Sequence, residues 1–306
     1  HIHGEIWASG IKKKLDEINL LERPIHIISA NMHSVMNTIY SPFALTAEHK
    51  KHSAMEIYEM LSDSKNTLLR EKVMKYAAQN GLIYIKDNSG TNINVQIIDT
   101  AKLPNTLTNS AIDAMPVLIV MDYAFGEQAF ETLDELLKPY KKSKKNVWFL
   151  DVKSVSIMGK AGILEGGKGD IMLPSAHVFE GTADNYPFKN MLKKSHFEGE
   201  EIKVCKGAMI TVLGTSLQNK DILKFFKNST WNVVGLEMEG AHYQKAIQSA
   251  SKIRRSISSK VKVQYAYYAS DNPLETGGTL ASGGLGTSGV KPTYLITEKM
   301  LNQILV

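Results

Sequence analysis

The chain has 306 residues, 43% hydrophobic and 22% charged, with 36 basic and 31 acidic side chains and a formal net charge of +5. This balance suits a sizeable core in one large α/β domain or two small ones; it excludes wholesale disorder and is too mild to argue for a nucleic-acid partner. A single cysteine, Cys205, excludes an intrachain disulfide framework and a cysteine-only metal site, and it fits a reducing, cytoplasmic setting.

In chain order, His1 and His3 come first, at a terminus where disorder explains them better than metal binding. The chain begins at His1 rather than Met, so the lack of a visible secretory signal is weak evidence. Ile25–Ala30 is the first strand, entered after Pro24. Ser41–Thr108 is polar and irregular and reads as an insertion or helical cap on the same domain. Within it Ala54–Leu61 and Leu68–Ala78 have helical spacing, and Leu82–Ile85 and Val95–Ile98 form a short strand pair around the turn residues Asp87–Gly90. His49 and His52 are close enough for one helical face, but no zinc signature accompanies them, and a solvated helix is the better reading. Val117–Met121 is a second central strand. Glu127–Leu137 follows as a helix with Ala129, Phe130, Leu133, Leu136 and Leu137 on one face. The basic run Lys138–Lys145 reads as a solvated helix end or loop.

Val152–Met158 and Asp170–Pro174 are the next strands, and Ile202–Leu213 is a bent strand that buries Cys205 as a small hydrophobe. Asp221–Phe226 is helical; Val233–Met238 is a strand, Gly240 to about Ile253 a helix, Val261–Ala269 a strand and Pro292–Leu305 the last helix. Gly277–Gly289 reads as a connector, because its glycines do not follow a strand and open a helix as a phosphate-cradling loop requires. No run is long and apolar enough to span a bilayer. Strands alternating with helices predict an α/β fold with a largely parallel sheet, in a single domain over 1–306 with 41–108 as its insertion.

Three segments carry chemistry. After the Val152–Met158 strand, Met158–Leu164 reads as a glycine-rich turn leading to Gly169–Met172, and small residues there let a ligand approach the backbone. In Leu236–Ala241, Glu237 and Glu239 stand where an apolar strand becomes a helix. A helix N-terminus accounts for Glu239, but Glu237 follows the buried run and is costly unless paired or used. Asp271 ends a third apolar strand before Pro273, where a turn aspartate is also common.

Taken in order, Met158–Met172 (MGKAGILEGGKGDIM), Leu236–Ala241 (LEMEGA) and Ser270-Asp271 resemble the nucleoside phosphorylase and nucleosidase superfamily, with motifs nearest those of methylthioadenosine/S-adenosylhomocysteine nucleosidases. Asp122–Ala129 and Lys206–Asn219 agree with its strand-to-helix turn and its purine-holding loop. The likeness spans Ile25–Ala30 and Val117 to the C-terminus and leaves out Ser41–Thr108.

The resemblance implies a three-layer α/β/α fold around a central mixed sheet, and an enzyme that cleaves the N-glycosidic bond of a purine nucleoside or nucleotide. It implies Asp271 as general acid to the base, Glu239 on the ribose hydroxyls, Met238 packed on the sugar and Glu237 beside them. Leu217 and Gln218 would hold the base, and Gly159, Lys160 and Ala161 would line the nucleophile side. It also implies a homo-oligomer, a small-molecule partner, no nucleic acid or membrane, and no metal or cofactor, with phosphate possible as co-substrate. Phe179 could stack on a base or fill the core, His177 and His242 would border the pocket or support it, and His196 would lie at the surface.

Departures from the family matter: no arginine lies in the glycine turn, and Lys160 takes a position that is usually small or neutral. The family's water-activating glutamate after the first strand is missing, since Ala30–Val35 (ANMHSV) has no carboxylate. His33 could serve as the base, with Asn31 positioning the water. Alternatively Lys160, His33 and Arg23 could hold a phosphate, either as the nucleophile or as part of a nucleotide. The missing glutamate also leaves room for a catalytically silent nucleoside- or nucleotide-binding module.

Overall fold

The computed structural model describes residues 1–104, 115–143, 146–182, 184–212, 219–276 and 286–305. The chain opens with α1 (Ile2–Glu17), β1 (Ile25–Ser29) and α2 (Met32–Ala44). The short α3 (Thr46–His49), then α4 (Ala54–Ser62), α5 (Thr67–Gln79), β2 (Leu82–Ile85) and β3 (Val95–Asp99) follow. Next come β4 (Val117–Met121), α6 (Gln128–Leu136) and a small pair, β5 (Tyr140–Lys141) and β6 (Val147–Trp148). The second half holds β7 (Val152–Ile163), β8 (Ile171–Phe179), β9 (Asn185–Pro187), β10 (Val204–Thr211) and α7 (Lys220–Asn228). It closes with β11 (Val233–Glu237), α8 (Gly240–Gln248) continued by a π-helical turn, β12 (Lys262–Asp271), α9 (Pro273–Thr276) and α10 (Val290–Leu305).

Ten strands form one mixed sheet in the order β11-β10-β8-β12-β7-β1-β4-β3-β2, with β9 added on β8. β12, β7, β1 and β4 run parallel, β3 and β2 continue the edge antiparallel, and β8 runs antiparallel to β12. β11 then curls round to pair antiparallel with the far end of β7 through Gly235↔Ile163 and Leu236↔Gly162. β4 is apolar along its whole length, and β1 and β7 bury most of theirs, because both faces of the sheet are covered. One core takes Ile27, Ile119, Val155 and Ile157 against α1, α6 and α8; the other takes Ile28, Val120 and Met158 against α2, α5 and α10.

Several local choices explain the helices. Asn31 caps α2 by accepting from the backbone N–H groups of His33 at 3.0 Å and Ser34 at 3.2 Å. Ser53 and Glu56 form a capping box at α4. On α1 the stripe Trp7, Ala8, Ile11 and Leu15 is buried, and the Trp7 indole N–H donates to Ile93 O at 2.9 Å.

The structure changes several sequence expectations. His1 and His3 are placed rather than disordered: the His1 amino group pairs with Glu131, and His3 Nδ1 meets Ser89 O. The segment Ser41–Thr108 is largely regular in its described part, with three helices and two strands that extend the sheet; its last residues, 105–108, lie outside the described residues. Gly159–Ile163 is no turn, because β12 on one side and β11 near the end keep it extended as part of β7. In the basic run, Lys138 pairs with Glu135 and Asp134, and Lys142 with Asp16; residues 144 and 145 lie outside the described residues. Of the glycine-rich connector, residues 277–285 lie outside them too. Cys205 is buried as expected, its thiol donating to Glu165 O at 3.1 Å.

Candidate active site

β1 stops pairing with β7 at Ile157, and β11 begins pairing at Gly162. Between them, Met158–Ala161 is paired only with β12 among the described residues, leaving a notch in the sheet. Adjacent side chains on an extended strand face opposite ways, so the notch presents Gly159 and Ala161 to one face and Lys160 to the other. Gly159 must lack a side chain, because a Cβ there would lie 2.6 Å from the Tyr123 hydroxyl.

On the Gly159 face stand the two glutamates. Glu237 ends β11 and is 2% exposed; Glu239 precedes α8 and is 7% exposed. Glu237 accepts from the Thr211 hydroxyl and from the backbone N–H groups of Glu239 and Gly240, while Thr211 in turn accepts from Ala241 N–H at 3.0 Å. Burial and the neighbouring charge of Glu239 push the Glu237 carboxyl up to about 8 against the pull of those donors. Glu239 reaches the turn after β4, where its carboxylate accepts from Gly126 N–H at 3.0 Å. Burial raises its affinity for a proton as well, and the backbone donors restrain that rise. Met238 between them is half-buried.

A hydrogen-bonded frame ties this corner to the strand ends. Tyr243 of α8 bonds Ser29 Oγ at 2.8 Å and accepts from Ala124 N–H at 3.1 Å, joining α8 to β1 and β4. Behind α8, His177 is fully buried, and burial holds it neutral, with its proton affinity lowered to about 3. Its Nε2 lies 3.1 Å from the Tyr267 hydroxyl, and its ring stacks on Phe188 with centroids 5.2 Å apart. It therefore supports the start of α8 and does not border the cavity described below. Gly240 is needed there, since a Cβ would collide with the His177 ring and come within 2.6 Å of the Tyr267 hydroxyl.

Asp271 reaches the notch from β12. A β-bulge sets it opposite Gly162, the residue that Leu236 also faces from β11. Strand spacing then separates the Leu236 and Asp271 backbones by roughly 10 Å, with the end of β7 between them. Bulges re-aim side chains at strand ends, and this one has a visible consequence. Asp271 Oδ1 accepts from the Ser270 hydroxyl at 2.6 Å, while Oδ2 is buried with no hydrogen-bond partner among the described residues. Such an atom is expensive unless a ligand or water meets it.

The opposite face of the notch opens into a cavity of about 600 Å³. Asn31, His33 and Lys160 line it; Gly159 and Ala161, which the sequence reading set beside Lys160 on the nucleophile side, do not. Tyr268, the cross-strand neighbour of Lys160, lies beside them. Residues that no motif signalled complete it: Asn37 of α2, Leu61, Arg70, Glu71 and Met74 of the 41–108 segment, and Tyr294 of α10. Only the contact between α5 and α2 in the folded chain brings Arg70 and Glu71 here. Ser34 also lines it, its hydroxyl held by Asn31 O and Thr297.

Other anticipated residues lie elsewhere. Arg23 does not reach the cavity: its guanidinium pairs with Asp99 at 2.7 Å and donates to Met115 O. Phe179 is buried edge-on against His242, with centroids 4.7 Å apart. His196 is half-buried and accepts from Lys193 N–H. Leu217 and Gln218 lie outside the described residues. Among the described residues, no three His, Cys, Asp or Glu side chains group as a metal site, and no helix is long and apolar enough to cross a membrane.

Solved structures similar to this one include nucleosidases and a futalosine hydrolase. The chain is 12% identical to the 5′-methylthioadenosine/S-adenosyl homocysteine nucleosidase of Campylobacter jejuni, covering 92% of this chain and 98% of that one with a TM-score of 0.53. It is 12% identical to native futalosine hydrolase of Helicobacter pylori, covering 93% and 99% with a TM-score of 0.54. It is 13% identical to the 5′-methylthioadenosine/S-adenosylhomocysteine nucleosidase of Helicobacter pylori bound to butyl-thio-DADMe-Immucillin-A, covering 92% and 99% with a TM-score of 0.54. At these identities the likeness establishes a nucleosidase-like fold and nothing finer. A comparison with curated proteins finds no match. Residues 53–306 match the profile of a family of unknown function, DUF6909, and the chain belongs to that family.

Proposed function

We propose that this protein cleaves the N-glycosidic bond of a purine nucleoside or nucleotide. The observation that carries the reading is the arrangement at the notch: Glu239 is held on one side of the end of β7, and Asp271, with a buried unpartnered oxygen, on the other. Breaking C1′–N leaves positive charge on the sugar and sends the bonding pair to the base. Asp271 donates a proton to the base as that charge develops. Glu239 accepts hydrogen bonds from the ribose hydroxyls, and its charge favours the cationic sugar. Met238 packs on the sugar, Ala161 allows its close approach, Gly159 leaves room for the Tyr123 hydroxyl, and Glu237 fixes the turn that presents Glu239. Leu217 and Gln218 would hold the base.

The nucleophile enters from the Asn31, His33 and Lys160 side. Water attacking C1′ would pass its proton to His33 and yield the free sugar; phosphate would yield the sugar 1-phosphate. The names of the similar structures, a nucleosidase and a hydrolase, support water. The three-layer reading rests on the two cores that flank the sheet, and assembly into a homo-oligomer remains part of the proposal.

The test is to incubate the protein with purine nucleosides, methylthioadenosine, adenosylhomocysteine and purine 5′-monophosphates, with and without phosphate, and to measure free base by chromatography. Base released without phosphate establishes a hydrolase; release only with phosphate establishes a phosphorylase. Ligand binding that depends on Glu239 with no base released under either condition refutes the enzyme reading in favour of a silent binding module.

A further inference from the structure

The cavity behind Lys160 is larger than a nucleophile needs. At about 600 Å³ it lies in the range that holds whole small-molecule ligands or large parts of them, and a water or a phosphate would leave most of it unfilled. Two cations line it from separate elements, Lys160 of β7 and Arg70 of α5. Both are exposed, and neither makes an ion pair or a side-chain hydrogen bond among the described residues. Arg23 and Arg254, by contrast, are each tied to an aspartate at 2.7 and 2.8 Å. One carboxylate, Glu71, shares the wall, so the cavity keeps an excess of positive charge, and a concave site concentrates such a field. Asn37 adds a polar group to the wall: its Nδ2 donates to Tyr294 at 2.7 Å, while its Oδ1 is buried without a partner among the described residues.

Among the described residues Met158–Ala161 pairs with β12 alone, so one strand edge presents Lys160 to the cavity and Gly159 to the face of Glu239. Resting on the glycosidic-cleavage reading, we infer that the cavity receives an anionic 5′ substituent of the substrate, a phosphate or a carboxylate, held by Lys160 and Arg70. With its sugar hydroxyls on Glu239, the nucleoside directs its remaining arm through the notch to the cations. The 41–108 segment is thereby the part of the chain that selects the substrate.

The experiment compares adenosine, inosine and guanosine with their 5′-monophosphates, and adenosine with its 5′-carboxylic acid. Base release and calorimetric binding are both measured, on the full chain and on the Arg70→Gln, Lys160→Gln and Glu71→Gln variants. The charged member of a pair is expected to have a kcat/KM about tenfold or more above its neutral partner, as a charge-assisted contact supplies. Arg70→Gln and Lys160→Gln each shrink that ratio, and Glu71→Gln widens it. Preference for the phosphate or for the carboxylate identifies the anion. Equal use of neutral and charged partners overturns the inference while leaving cleavage intact, as does a ratio that none of the variants moves. A requirement for inorganic phosphate whose KM rises in Arg70→Gln also overturns it, by giving the cations to the attacking group. Charge-selective binding that weakens in Arg70→Gln, with no base released from any compound, supports the cavity assignment and refutes the cleavage reading.

Discussion

Glu237 offers the sharpest physical test of the corner that holds Glu239. In the unfolded chain its carboxyl ionises near the ordinary 4.5; in the folded protein burial and the charge of Glu239 move that to about 8. Between those values the folded state keeps a proton that the unfolded state has lost. Stability contributed by this group is therefore complete below about pH 4.5 and declines as pH rises, flattening above about 8. At about 1.4 kcal/mol per pH unit the decline is at most on the order of 5 kcal/mol. Glu237→Gln removes the titration and keeps most of the bonding. The amide oxygen can accept from Glu239 and Gly240 N–H, and its NH₂ can donate to Thr211, whose hydroxyl already accepts from Ala241. The reversed hydrogen bond costs about 1 kcal/mol. Urea midpoints at pH 5 to 9 are the assay, with the m-value checked for constancy. Wild type should lose stability across this range more steeply than E237Q, so that the variant overtakes it at alkaline pH. Parallel curves would refute the account, because every other titrating group is common to both proteins.

Acid should act through His177. Its folded proton affinity is lowered to about 3 by burial, so its contribution is complete above about pH 6.5 and is lost as pH falls from there; His177→Phe should flatten the acid limb of a thermal-unfolding series. Gly240→Ala drives a methyl group into the His177 ring and the Tyr267 hydroxyl, and should destabilise by about 1–3 kcal/mol, read as a fall in Tm of several degrees. Tyr243→Phe leaves the Ala124 N–H and the Ser29 hydroxyl without their shared partner, at a cost of roughly 1–3 kcal/mol in urea unfolding. Asp271→Asn cannot donate the proton that the leaving base needs, so turnover should fall by about 10²–10⁴-fold while calorimetry still detects ligand; a variant that cleaves at the wild-type rate removes Asp271 from the chemistry.

Much of the sheet was legible because its strands are buried on both faces and read as largely apolar runs: Val117–Met121 is unbroken, and Ile25–Ser29 is interrupted by His26 before it ends at Ser29. Where local signals and tertiary pairing disagree, pairing wins. Met158–Leu164 has the composition of a turn, yet hydrogen bonding to β12 and then β11 keeps it extended to Ile163. α1 escaped notice because lysines interrupt its apolar stripe. One of them, Lys12, is itself buried, its ammonium donating to Glu135 O and Lys138 O at 2.7 Å at the end of α6. That arrangement has no sequence signature, since it depends on α6 arriving from more than a hundred residues away.

The candidate site divides in the same way. Glu237 was visible because an acid at the end of an apolar strand is penalised unless its charge is paired or used, whereas Glu239, which opens a helix, and Asp271, which comes before Pro273, stood out only through the order of the motifs. Arg70 and Glu71 were invisible because nothing in a polar amphipathic helix marks which of its charges will face a cavity. Arg23 misled for the complementary reason: a lone arginine before the first strand suggests an anion site, but Asp99 and the carbonyl of Met115 consume its donors. A charge read from sequence thus acquires a role only once its partners are known. In this fold Lys160 and Arg70, which make no ion pair among the described residues, line the cavity behind the notch.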